Sequence, residues 1–71
     1  MRVITVTRDA RPLAVLRACD EAEAVRRART LARLDDAPAA GRLAAREPTD
    51  AEMIGWLIRR DDHLLASSAD A

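Results

Sequence analysis

The side chains of this sequence that could act together as nucleophile and base are Cys19 and His63, its one cysteine and one histidine. Cys19 follows a strand-like segment and precedes a helix start, a location that can make a thiol more nucleophilic. His63 lies far along the chain, and no third residue is placed to orient it. We therefore interpret Cys19 as a half-buried structural residue and His63 as a surface residue, and we expect a binding protein rather than an enzyme.

The other residues that could hold a ligand are scattered. One thiol and one imidazole are too few for a chelating cluster, so we expect no metal site. Acidic pairs occur at residues 20–21, 35–36 and 61–62. Adjacent side chains on a helix diverge by about 100°, so these pairs do not share a substrate. No glycine-rich loop for a phosphate is present, and we expect no cofactor.

Three arginines have the spacing of one helix face: Arg26, Arg29 and Arg33. Their guanidinium groups suit phosphates and carboxylates, which predicts a contact with nucleic acid or with an acidic partner. The alternative is a solvated face that Glu23 and the acidic second half of the chain partly neutralise. The formal net charge of zero argues against a dedicated polyanion binder, so nucleic acid is the second choice of partner.

The only aromatic residue is Trp56, in a segment with helical periodicity. An apolar arc is formed by Met53, Ile54, Leu57 and Ile58, which we expect to be buried. If the helix ran as far as residue 63, the opposite face would carry Glu52, Trp56, Arg59 and His63. An exposed tryptophan beside arginine has the composition of an interface hot spot, so this face is a candidate protein-binding surface. The alternative is that Trp56 covers the edge of its own core.

The first two elements are predicted to be strands of a hairpin, at residues 2–8 and 13–18. An even loop pairs Val6 with Leu13 and Ile4 with Val15, which gathers large apolar side chains on one face. The second face would then carry Val3, Thr5, Thr7, Ala14 and Leu16. That face is either a dimer surface, which makes Val3 and Leu16 interface candidates, or it lies under another element.

Two capping boxes predict the helix starts, one at Asp20 with Glu23 and one at Thr49 with Glu52. Residues 42–47, between the helices, fit either a short strand or a helical turn. The second helix should end near residues 60–61. We expect a single small ββαβα domain of the α+β class over residues 1–66, with two helices packed on the antiparallel hairpin, and a disordered tail at residues 67–71.

At 71 residues the chain has little apolar area to bury, and it lacks Phe and Tyr. A second subunit would supply the missing burial, so we expect a homodimer. No signal peptide or membrane span is visible, which predicts a cytoplasmic protein. All twelve basic residues are arginine, which indicates a GC-rich bacterial or phage genome.

Residues 7–23 resemble the central hairpin and helix start of Phd/YefM-type antitoxins, in which a Thr-Arg-x-Gly-Arg/Lys-Pro-Val-Ala-Val-Leu run precedes an acidic helix start. The matching residues are Thr7, Arg8, Arg11, Pro12, Ala14, Val15, Leu16 and Glu21. Ala10, Arg17 and Ala22 depart from the pattern. The resemblance implies a dimer whose C-terminal segment, here Met53 to Leu65, wraps a protein target. Together these features favour a small regulatory or inhibitory adaptor that acts by protein–protein binding.

Overall fold

A computed structural model describes residues 1–34 and 41–65 of the chain. Its elements in chain order are β1 (Arg2–Arg8), β2 (Arg11–Ala18), α1 (Glu21–Leu31), β3 (Leu43–Arg46), α2 (Asp50–Arg59) and β4 (His63–Leu64). The strands form one antiparallel sheet in the order β3-β1-β2-β4. This confirms a small α+β domain and shows that residues 43–46 are a strand. The sequence did not predict β4, and the predicted tail lies outside the described residues.

The hairpin of β1 and β2 turns through two residues, Asp9 and Ala10, whose φ angles are 51° and 69°. Positive φ at both positions is typical of the tight turns that match the twist of paired strands. Next to the turn, Thr7 pairs with Pro12. Beyond it the register shifts, and Val6 pairs with Ala14, so Leu13 is the extra residue of a β-bulge.

The bulge overturns the predicted register of the hairpin. Ile4 pairs with Leu16 rather than with Val15. Because the shift exchanges the two faces of β2 beyond the bulge, Ala14 and Leu16 join Ile4 and Val6 on one face of the sheet. Leu16 is fully buried there, so its predicted place on the second face was wrong.

The main core lies between this first face and α1. Ala24 and Ala28 of α1 are fully buried against Ile4, Val6 and Leu16. Two small side chains on the helix let it approach the sheet closely, which compensates for the lack of large aromatic residues. Partly buried apolar residues complete the margin of this core: Val25, Ala32, Leu34, Leu43 and Ala45.

The second face of the sheet lies under α2. Thr5 and Val15 on this face have no exposed surface, and Thr5 donates a hydrogen bond to Glu52 of α2. The sheet is therefore sandwiched between two helices, and its second face is not a free dimer surface. Val3, predicted as an interface residue, is only partly exposed.

Both helices begin where the capping boxes predicted. The Asp20 side chain accepts a hydrogen bond from the backbone N–H of Glu23, and the Glu23 carboxylate accepts one from the backbone N–H of Cys19. Thr49 and Glu52 make the equivalent reciprocal pair at α2. These bonds satisfy backbone N–H groups that have no partner within the helix, and they fix the residue at which each helix begins.

Candidate functional site

Helix α2 packs against the sheet through the face that was predicted to be exposed. Trp56 is only 8% exposed and Glu52 also faces the sheet, whereas Ile54, Leu57 and Ile58 are 58%, 49% and 78% exposed. The expected burial of Ile54, Leu57 and Ile58 was therefore wrong, while Met53 is partly buried. For Trp56 the alternative is the one observed, because its side chain covers the core of its own domain. We call the outward apolar surface formed by Ile54, Leu57 and Ile58 the α2 ridge.

A network centred on Glu52 fixes this orientation. Arg46 of β3 binds the carboxylate with both terminal nitrogens, Nη1 to Oε1 at 2.8 Å and Nη2 to Oε2 at 3.0 Å. Oε1 also accepts the Thr5 hydroxyl and the Thr49 backbone N–H, each at 2.9 Å. Rotating α2 to bury the ridge would break the bonds to Arg46 and Thr5. The Thr5 hydroxyl, which is fully buried, would then lose its acceptor, and a buried donor without a partner is costly.

These contacts change the acidity of the carboxyl group. The pKa of Glu52 is lowered from 4.5 to about 2, chiefly by the hydrogen bonds from Arg46, against a smaller opposing effect of burial. The bonds from Thr49 and Thr5 make smaller contributions to the same lowering of the pKa. The same pairing raises the pKa of Arg46. Glu52 is therefore ionised at neutral pH and serves to anchor α2, not to transfer protons.

Trp56 supplies the apolar part of the anchor. Its ring lies beneath Arg17 of β2, whose guanidinium carbon is 5.8 Å from the ring centroid, within range of a cation–π contact. The indole Nε1 is buried and has no hydrogen-bond partner among the described residues. Leaving a donor unpaired costs about 1–3 kcal/mol, so the area that Trp56 buries must outweigh that cost.

Gly55 lies beside the ridge on α2, where neither the backbone conformation nor a close contact among the described residues requires a glycine. Its φ is not positive, and a Cβ atom built on it would meet no atom within 4 Å. Glycine inside a helix is about 1 kcal/mol less favourable than alanine. The flank of the ridge at Gly55 is thus open and has no side chain.

The other flank of α2 adjoins a shallow cleft of about 320 Å³, which we call the arginine cleft. Residues from β2, α1 and the end of α2 line it together with Met1: Arg17, Arg27, Trp56, Arg60, Asp61 and Asp62. Asp62 bridges the elements, because its Oδ2 is 3.2 Å from Arg27 Nη2 and its Oδ1 accepts the backbone N–H of Arg17. The sequence did not predict this convergence, since the three arginines are far apart along the chain.

The arginines predicted to contact nucleic acid do not form one exposed row. Arg26 is exposed, and its Nη2 lies 3.7 Å from Glu23 Oε2, while Arg29 is partly buried. Arg33 lies beyond the last residue of α1, at a φ of 60°, so it leaves the helical periodicity on which the prediction depended.

The remaining predicted site residues are dispersed. Arg59 is exposed, and its Nε lies 3.4 Å from Asp61 Oδ1. His63 belongs to β4, where it is buried opposite Val15, so its predicted place on the surface was wrong. Because α2 ends at Arg59, His63 does not share a helix face with Trp56. Cys19 is exposed.

The exposed ridge was missed because residues at i, i+3 and i+4 are typical both of a buried helix face and of a binding surface. The pattern identified Ile54, Leu57 and Ile58 as one surface. It did not show whether that surface meets the sheet or solvent. Contacts with residues distant in sequence decide this, because Arg46 and Thr5 hold Glu52 at the sheet.

No helix within residues 1–34 and 41–65 is long and apolar enough to cross a membrane. Comparisons of the chain with protein-family models, with curated proteins and with solved structures found no match.

Proposed function

We propose that this domain is a small regulatory adaptor that binds another protein by inserting the α2 ridge into an apolar groove of that protein. The observation that carries the proposal is the exposure of Ile54, Leu57 and Ile58 on a helix whose opposite face is held against the sheet. Occupying the groove would block it for other ligands, which is how a steric inhibitor works.

The energetics favour a covered ridge. Fully burying a Leu or Ile side chain contributes about 1.5–3 kcal/mol, and these three side chains leave about half or more of their surface in water. Their spacing of i, i+3 and i+4 is that of helices that bind in grooves. The Glu52 network holds α2 in place before binding, which reduces the entropy lost on association.

The convex shape of the surface favours a groove over a second copy of the chain. Helix α2 has 10 residues and is therefore about 15 Å long. Two such convex ridges would touch along a narrow strip, well short of the ~800 Å² per partner that a stable interface buries. A concave partner covers both flanks of the ridge, including the open side at Gly55.

The resemblance to Phd/YefM-type antitoxins supports the same surface. It assigns target binding to the segment from Met53 to Leu65, which contains the whole ridge. The proposal therefore includes an antitoxin-like role, in which the partner is a protein that the adaptor inhibits.

The test is site-specific photocrosslinking in the cells from which the gene comes. A photoreactive amino acid replaces Ile58 on the ridge or, as a matched control, Leu31, which is 37% exposed on α1. We expect one protein to crosslink through position 58 and not through position 31. The purified partner should then bind the Ile54→Gln/Ile58→Gln variant at least about tenfold more weakly, or 1.4 kcal/mol, and the Leu31→Gln variant as tightly as the wild type.

Three outcomes would contradict the proposal. Equal adducts at both positions would mean that the ridge is not a specific surface. An adduct of twice the chain mass would assign the ridge to a homodimer. An adduct with nucleic acid, or DNA affinity that falls steeply with salt and depends on Arg26, would favour a nucleic-acid-binding module.

A further inference from the structure

We propose that the arginine cleft is an anion site that receives a carboxylate side chain of the protein bound at the α2 ridge. This inference rests on the proposed function, because it assigns a second contact to the same partner. The geometry behind it is the convergence of Arg17, Arg27 and Arg60, from three separate elements, around one cleft of about 320 Å³.

One of the three arginines is already held in place. Arg27 donates through Nη1 to the backbone carbonyl of Arg17 at 2.6 Å and through Nη2 to Asp62 at 3.2 Å. Asp62 is in turn occupied by Arg27 and by the backbone N–H of Arg17. The Arg27–Asp62 pair is therefore close to neutral and forms a fixed wall of the cleft.

The charges of the other two arginines are not compensated within the part of the chain that the structure describes. Among residues 1–34 and 41–65, no carboxylate forms an ion pair with the guanidinium of Arg17 or of Arg60. The Arg17 guanidinium lies over the face of Trp56. Arg60 donates through Nε to the carbonyl of Leu57 at 2.9 Å, and its two terminal nitrogens, which have no partner among the described residues, can bind an anion.

The charges of the cleft suit an anion. Asp61 and Asp62 also line it, but Asp61 Oδ1 lies 3.4 Å from Arg59 Nε and Asp62 is paired with Arg27. The positive charge left for a ligand is therefore that of Arg17 and Arg60. A Glu or Asp side chain is the anion that a protein partner carries, its two oxygens match guanidinium N–H groups, and the residues beside it add contacts that free phosphate lacks.

The cleft and the ridge share an edge. The bond from Arg60 to the Leu57 carbonyl joins the cleft to a ridge residue. A partner that covers Leu57 would thus bring its next side chains to Arg60 and Arg17. An apolar centre with a charged pair at its rim is the usual arrangement of protein interfaces, and the rim pair contributes mainly orientation and specificity.

The test uses Trp56 fluorescence, because this one indole lies in the wall of the cleft. The folded wild-type chain is titrated with a capped tetraglutamate peptide, with the matched tetraglutamine peptide and with inorganic phosphate, all at constant low ionic strength. We expect a saturable change with tetraglutamate alone. The affinity for tetraglutamate should fall about fivefold or more in the Arg17→Gln and Arg60→Gln variants. It should stay unchanged in Arg11→Gln, a control at the exposed hairpin turn.

The inference fails if tetraglutamine gives the same response, if phosphate alone responds, or if Arg17→Gln and Arg60→Gln bind like the wild type while far-UV circular dichroism shows them folded. The Ile58→Gln variant separates the two proposals, since its titration should match the wild type. Partner binding that depends on the ridge but not on Arg17 or Arg60 overturns only the anion site. A specific tetraglutamate titration without a ridge-dependent partner overturns only the proposed function.

Discussion

At the scale of single residues, Glu52 has the largest structural role. Its carboxylate accepts hydrogen bonds from Arg46, Thr5 and Thr49, and so joins α2 to both β1 and β3. A surface ion pair contributes little to stability, but this carboxylate is only 12% exposed. We therefore expect the Glu52 contacts to matter more than any other ion pair of the described residues.

The Glu52→Gln substitution tests this role. We expect it to lower the free energy of unfolding by about 2 kcal/mol, because it removes the charge that Arg46 binds with two nitrogens. The matched control is Glu21→Gln, since Glu21 lies 4.0 Å from Arg2 and both side chains are more than half exposed. Urea unfolding should show a change below about 0.5 kcal/mol for the control. Equal effects of the two substitutions would contradict the proposed anchor.

The lowered pKa also predicts how stability depends on pH. The pKa of Glu52 is about 2 in the folded chain and 4.5 ordinarily, so the unfolded state takes up the proton first as the pH falls. The stabilisation from Glu52 is present above pH 4.5 and is lost between pH 4.5 and 2. We expect this loss to be on the order of 2 kcal/mol, allowing for screening at the partly exposed Arg46.

Thermal unfolding from pH 7 to 2 checks this prediction. The difference in stability between wild type and Glu52→Gln should shrink across the acid window and stay constant above it. A constant difference at every pH would mean that the folded carboxyl titrates normally.

At the scale of elements, the hairpin owes its register to a bulge and its turn to two residues of positive φ. Asp tolerates a positive φ, whereas the Cβ atom of Ala10 makes its φ of 69° sterically unfavourable. The bulge at Leu13 then places Leu16 on the face that meets α1.

The Ala10→Gly substitution should relieve that steric cost. We expect it to raise the free energy of unfolding by about 1 kcal/mol, because glycine adopts positive φ freely. The same change at an exposed helical site, Ala22→Gly, should lower it by about 0.5–1 kcal/mol. Denaturant unfolding of both variants gives the comparison. A loss of stability in Ala10→Gly would show that the turn has another geometry.

The sequence predicted correctly those features of the fold that depend only on neighbouring residues, such as the helix starts. Asp20 with Glu23 and Thr49 with Glu52 marked both helix starts, because a capping box needs only four consecutive positions. Register and orientation depend on distant residues. No local signal distinguished Leu13 as the bulged residue, and none showed that Arg46, distant in sequence from Thr5, would meet it at the Glu52 carboxylate.

For the candidate site too, the sequence predicted which neighbouring residues belong together but not how distant residues meet. The ridge residues were identified as one apolar surface, while their exposure follows from contacts between α2 and two strands. The arginine cleft joins residues from β2, α1 and the end of α2, and sequence spacing carries no information on such a convergence.

At the scale of the whole molecule, the two helices contact the sheet through different kinds of side chain. Helix α1 packs small side chains into the main core, while α2 is held by Glu52 and Trp56 and leaves its largest aliphatic residues in solvent. The fold therefore does not depend on the ridge, which remains available to a partner.

Replacing ridge residues should therefore leave the isolated domain intact. We expect Ile54→Gln/Ile58→Gln to change the free energy of unfolding by no more than about 0.5 kcal/mol, as is usual for surface positions. Leu16→Ala, in the core, should lower it by about 2–5 kcal/mol. Urea unfolding compares the two variants. A core-sized loss in the ridge variant would mean that Ile54 and Ile58 are buried in the native domain.

The measurement that tests the orientation of α2 most directly is acrylamide quenching of Trp56, at a concentration where light scattering shows a single protomer. The structure predicts a blue-shifted indole that acrylamide quenches far less than in the urea-unfolded chain, and equal protection in the Ile54→Gln/Ile58→Gln variant. A folded protomer whose indole is quenched as readily as in the unfolded chain would show that α2 faces the other way, and the ridge would not be the binding surface.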